Sequence, residues 1–71
     1  MRRITYTSIL CRAIRDCEAA VEEYKQAVEE WERVGKTTEA VYFHDNILKP
    51  TEEELETLKL LYEVETGKKY E

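Results

Sequence analysis

Residues 9–34 read ILCRAIRDCEAAVEEYKQAVEEWERV. One set of apolar side chains, Leu10, Cys17, Tyr24 and Trp31, recurs every seven positions. A second set, Tyr6, Ala13, Ala20, Ala27 and Val34, has the same period. A third row, Ile14, Val21 and Val28, widens the stripe. A seven-residue repeat keeps apolar side chains on one face of an α-helix, so the pattern predicts one long helix over 7–34. At 1.5 Å per residue that helix is roughly 42 Å long. Gly35 follows the last periodic residue and suits a left-handed cap. Thr7 or Ser8 is the expected N-cap.

The two main rows differ in bulk. Leu10, Tyr24 and Trp31 are large, whereas Ala13, Ala20 and Ala27 are small. Large side chains facing small ones interdigitate, and small ones let helix backbones approach closely. The expected oligomer interface is therefore Leu10, Ala13, Cys17, Ala20, Tyr24, Ala27 and Trp31. Charge gives the interface a direction. Arg12 and Arg15 lie near the helix start, and Glu29, Glu30 and Glu32 near its end, so both groups oppose the helix dipole. Two antiparallel copies bring the Arg end of each near the Glu end of the other, which favours an antiparallel homodimer. Each exposed pair is worth only about 0.2–1 kcal/mol, enough to choose an orientation but not to drive assembly.

Outward from this helix, 1–6 is a lead-in and 37–48 a connector. Ala40, Val41, Phe43, Ile47 and Leu48 fit helical spacing, although Val41-Tyr42-Phe43 also has high β propensity. The connector is expected to be a short helix. Pro50 is expected to break it, because a residue before proline avoids the helical region. Thr51 with Glu54 then forms a capping box, which starts a C-terminal helix over 51–66 carrying Leu55, Leu58, Leu61, Tyr62 and Val64. Gly67 stops it. The fold class is all-α. The chain is read as one helical domain, a long-helix antiparallel hairpin or small three-helix unit that assembles through the long helix.

Composition narrows the function classes. The 71 residues are 38% charged and 42% hydrophobic, as in a folded protein. At this length a core alone supplies only about 3–5 kcal/mol, so a staple, metal or partner chain is expected. The net charge of −5 is uneven. Residues 1–16 hold four Arg against Asp16, a net +3, and the remainder holds seven Lys or Arg against fifteen Asp or Glu, a net −8. An acidic body repels phosphate and disfavours direct nucleic-acid binding. No apolar run approaches a membrane span. The N-terminus is too interrupted by polar residues for a signal peptide. The expected location is the cytoplasm (of the host, for a virus-encoded chain), where both cysteines stay reduced.

Chemistry-bearing clusters are sparse. Cys11 and Cys17, six apart on one helix, are separated by roughly 9 Å along its axis and cannot bridge each other. Cys11, Cys17, His44 and Asp45 match no compact zinc spacing, so no metal is expected. A Cys–His–Asp nucleophile has the right residue types but no sequence feature that gathers them. Adjacent carboxylates such as Glu22 and Glu23, or Glu29 and Glu30, point about 100° apart on a helix and make no acid/base pair. No glycine-rich phosphate loop is present. The expectation is no enzyme and no cofactor.

Arg2-Arg3-Ile4-Thr5-Tyr6-Thr7 alternates like a strand and is similar to the reading strand of ribbon–helix–helix repressors. The helix that follows is about twice too long for that fold, and the body is acidic. The reading that remains is a small acidic interaction protein, a regulator or inhibitor of the kind phages and viruses encode, docking on a larger protein. Glu22, Glu23, Glu29 and Glu30 are its expected partner surface. Two alternatives stand beside it. One is an oligomer that holds an anionic small molecule between chains through Tyr6, Arg12, Arg15 and His44. The other is a designed or structural helical oligomer with no ligand.

Overall fold

A computed structural model describes residues 5–70. Helix α1 spans Tyr6–Arg33, α2 spans Thr37–Phe43 and α3 spans Lys49–Thr66, with a π-helical turn over His44–Leu48 between the last two. The fold is all-α: no strand occurs among the described residues. Residues 1–4 of the expected lead-in lie outside them, and Tyr6 and Thr7 are already helical.

α1 is bounded as its sequence demands, one residue early. Its N-cap is Thr5, not Thr7 or Ser8: the extended Thr5 backbone lets Oγ1 accept the Ser8 N–H at 3.1 Å. This satisfies a donor the first turn would leave bare. At the other end Gly35 takes φ +82°. The Lys36 N–H reaches the Trp31 carbonyl at 2.8 Å and the Gly35 N–H reaches that of Glu32 at 3.2 Å. Together these bonds close a Schellman motif, and only glycine enters its left-handed position without strain.

The chain then returns along α1. Trp31 near the end of α1 meets Phe43, and Cys17 near its middle meets Thr51, so the returning stretch runs antiparallel to α1. Leu10, Ile14, Cys17, Val21 and Val28 of α1 are buried, joined by Ala40 and Leu48. Ile14 is fully enclosed, at 0% exposure. α3 contributes no buried residue; Leu55, Leu58 and Tyr62 are half-buried against α1. The core is thin, and the molecule is a slab of 50 × 25 × 18 Å.

Two expectations for 37–66 are corrected. Pro50 does not end a helix. Lys49 keeps φ −61° and ψ −47°, and the helical path continues through it. The reason lies one turn earlier. In the π turn the Lys49 N–H bonds the His44 carbonyl, five residues back. The widened turn relieves the clash of a proline ring with the preceding turn. Pro50 then falls in the first turn of a new register, where its missing N–H is not needed. The capping box at Thr51 and Glu54 is also not formed. Leu48, the residue before α3, is itself helical, so no free helix start exists for Thr51 to cap. Thr51 Oγ1 instead donates back to the Ile47 carbonyl at 2.7 Å.

Candidate functional site

The reactive side chains are scattered. Cys17 is buried, and its Sγ donates to the Thr51 carbonyl at 3.5 Å. Burial pushes its thiol above the ordinary value, and the nearby Glu54 and Glu18 carboxylates push the same way. A thiol so held is a poor nucleophile at neutral pH. Cys11 is half-buried, and both thiols are free. His44 pairs with Asp45 at 3.0 Å on the exposed side of the π turn, beside Val28 and Glu32. That places His44 opposite the second half of α1, about 15 Å along the axis from the level of Cys17. No group of three or more His, Cys, Asp or Glu side chains suited to a metal occurs among the described residues.

The same geometry separates the expected anion-binding set within one chain. Tyr6, Arg12 and Arg15 occupy the first three turns of α1, whereas His44 packs near Val28. Tyr6 and Val28 are 22 residues apart, about 33 Å at the helical rise.

The expected interface row divides in two. Leu10 and Cys17 are spent on the internal core, at 4% and 9% exposure, so a second chain has no access to them. The heptad pattern identified a buried face there; the partner that buries it is the chain's own returning stretch. Ala13, Ala20, Ala27, Tyr24 and Trp31 are half-buried along one edge of that face. Glu22, Glu23, Glu29 and Glu30 all point to solvent, and Glu30 pairs with Arg33 at 2.7 Å.

An aromatic cluster closes the far end of the slab. The Phe43 ring meets Tyr24 edge-on at 5.2 Å and Trp31 at 5.0 Å between centroids. Edge-to-face contacts of this kind are worth about 0.5–1.5 kcal/mol beyond their buried area. Phe43 thereby locks α2 onto α1. Trp31, Tyr42 and Phe43, with Thr38 and Glu39, line an open, apolar groove of about 450 Å³.

The surface carries more bare apolar area than these grooves. Tyr6 and Ile9 on α1, Val34 at its C-cap, Val41 and Tyr42 on α2, and Leu60 and Val64 on α3 are at least half exposed. Val64 is 83% exposed and Leu60 62%, with Leu61 next to them at 41%. At 100° per residue, Leu60 and Val64 lie 40° apart on the side of α3 turned away from α1, and Leu61 lies about 60° further round, on the flank. The apolar residues expected along this helix, Leu55, Leu58, Leu61, Tyr62 and Val64, therefore do not share one face. The signal that separates them is angular: Leu58 and Tyr62 lie about 40° apart, whereas Val64 lies about 140° and Leu61 about 80° from their middle. Exposed carboxylates of Glu53, Glu54, Glu56 and Glu65 border this apolar face, and Lys59 and Lys69 line the surface beside Leu60.

No family model, no curated protein and no solved structure matches this chain.

Proposed function

We propose that the chain is a non-enzymatic interaction protein, a small acidic regulator or inhibitor that docks on a larger protein through the outward face of α3. One observation carries this reading. Leu60 and Val64, with Leu61 on the flank, form an apolar face that the fold leaves bare, and carboxylates border it. Contiguous exposed apolar area with a polar rim is the usual mark of a protein-binding surface. The rim charge selects a partner of opposite sign, so the matching element is a basic amphipathic helix with apolar residues at i, i+3, i+4 and i+7. The thin core fits the same role, because a partner adds the burial that a chain of this size lacks. The acidic row on α1, Glu22, Glu23, Glu29 and Glu30, is the competing docking face.

Calorimetric titration with a defined probe tests this. The probe is an 18-residue helix of leucines on one face and lysines elsewhere; its controls replace the leucines by serine or the lysines by glutamate. Wild type binds the probe and neither control. The double variant Leu60→Lys, Val64→Lys loses binding at least tenfold with its circular dichroism unchanged. Equal binding by this variant, or loss only in Glu22→Lys, Glu23→Lys, Glu29→Lys, removes the α3 face from the reading.

A further inference from the structure

Away from the α3 face, the groove between α1 and α2 carries a different chemistry. We infer that it is a binding site for a small quaternary ammonium compound, with Trp31, Tyr42 and Phe43 as its walls and Glu39 as its counter-charge. The groove holds about 450 Å³ and is lined by Trp31, Thr38, Glu39, Tyr42 and Phe43. That volume is within the roughly 300–1,000 Å³ of small-molecule sites. Trp31 comes from the last turns of α1 and the other four residues from α2. Thr38 and Tyr42 are four apart, and so are Glu39 and Phe43, so each pair lies one turn above the other on neighbouring rows of α2. The Cβ atoms of Glu39 and Phe43 are then about 5–6 Å apart, which stands the carboxylate beside the rings.

The walls favour a cation. An aromatic face attracts positive charge through its quadrupole, and Trp does so most strongly. The Trp31 and Phe43 ring planes lie 67° apart with centroids at 5.0 Å, so the two rings form a corner and not a closed stack. Tyr24 also holds Phe43, at 5.2 Å between centroids. Both rings of the corner are thus set before any ligand arrives, which lowers the ordering cost of binding. Tyr42, 65% exposed, supplies the third ring from the solvent side.

Charge and hydrogen-bonding capacity narrow the cation. Glu39 is the one charged side chain among the five lining residues. Of the basic residues near the groove in sequence, Arg33 is paired with Glu30, and Lys36 precedes α2 outside the lining. A lysine ammonium brings three N–H donors and a guanidinium five. The groove offers them one carboxylate and the Thr38 hydroxyl, so against three rings most of those donors exchange water for carbon. A quaternary ammonium has no N–H to satisfy. Its methyl groups pack on the rings while its charge meets their faces and Glu39. The occupant is a small molecule and not a peptide, because the groove spans about one helical turn, and the helices that line it expose no strand edge for a peptide backbone to pair with.

Trp31 is the single tryptophan of the chain, so its fluorescence reads the groove directly. Titration with choline chloride, against sodium chloride at equal ionic strength, is expected to saturate by about 50 mM, with a Kd near 10 mM. The neutral isostere of choline, with carbon in place of nitrogen, is expected to bind at least about fivefold more weakly, the size of one exposed cation–π contact. Tyr42→Ala and Glu39→Gln should each weaken choline by a similar factor with circular dichroism unchanged, since both side chains are exposed. A response to choline that stays linear over the same range overturns the inference. So does equal affinity for the isostere, which means an apolar hollow only, or unchanged choline binding in both variants. A trimethyllysine peptide that binds at least tenfold more tightly than choline overturns the small-molecule occupant and hands the groove to a protein side chain. The α3 variant Leu60→Lys, Val64→Lys should bind choline as wild type does, so the two surfaces succeed or fail separately.

Discussion

α1 and α3 are both amphipathic by composition, but they use their apolar residues differently. α1 carries Leu10, Ile14, Cys17, Val21 and Val28 into the core and is capped at both ends. α3 carries about as many large apolar residues, buries none of them fully, and begins on a π turn with no cap at all. The contrast is one of periodicity. α1 holds its heptad for four repeats, so its stripe stays over one seam. In α3 the apolar positions Leu55, Leu58, Leu60, Leu61, Tyr62 and Val64 spread around the helix. A helix whose apolar residues point both ways can pack and still present a face, which divides labour between a folding helix and a presenting one.

The largest difference should appear on deleting side-chain volume. Ile14→Ala leaves a cavity at a fully enclosed side chain and should cost about 2–5 kcal/mol. Val64→Ala should stay within about 0.5 kcal/mol, the range of surface changes. Urea unfolding of the two variants reads both, and similar losses would erase the contrast. Next come the glycines that end each helix. A Cβ at Gly35 or Gly67 meets no atom within 4 Å, so an alanine costs only its left-handed backbone, about 1–2 kcal/mol. Gly35→Ala should show that cost in global stability, because the α1–α2 turn depends on it. Gly67→Ala should show less, through fraying of the last turn, which amide exchange at residues 64–67 would detect.

The helix starts give a smaller test. Thr5→Ala removes a working cap and should cost about 1 kcal/mol. Thr51→Ala removes only a hydroxyl that bonds back to Ile47, and should cost less than half of that; a full cap-sized loss would restore the capping-box reading. The thiols give the smallest. Cys17 should resist alkylation at pH 8 until the protein unfolds, while Cys11 reacts faster. The folded Cys17 value lies above its ordinary 9.0, so the folded state favours the protonated thiol. That stabilisation is complete below pH 9 and fades as pH rises through the folded value. Cys17→Ala should remove this alkaline component from the pH–stability curve, and an unchanged curve would assign it elsewhere.

The sequence announced α1 because a heptad over four repeats has one geometric solution. Gly35 was legible for the same kind of reason, since a left-handed position has few tenants. The path through Pro50 was not. A proline after a lysine reads as a stop, and only the π turn at His44–Leu48 shows how the helix absorbs it. Thr51 and Glu54 have the spacing of a cap, but capping needs a free helix end, which is a property of the three-dimensional path. The heptad also identified a buried face without saying what buries it: Leu10 and Cys17 face the chain's own return, while Ile9, Ala20 and Trp31 border the side left open. The bare face of α3 is hard to see in the sequence because Leu60, Leu61 and Val64 alternate with Leu58 and Tyr62, and only their angles around the helix separate them.

If the outward face of α3 is a binding surface, Leu60 and Val64 contribute nothing to holding the fold. The most direct test is urea unfolding of Leu60→Lys, Val64→Lys against wild type, at two protein concentrations so that any self-association is separated from chain stability. The expected result is the same midpoint and slope, within about 0.5 kcal/mol in stability. A loss of 2 kcal/mol or more, at both concentrations, would show that these side chains hold the chain together and would contradict it.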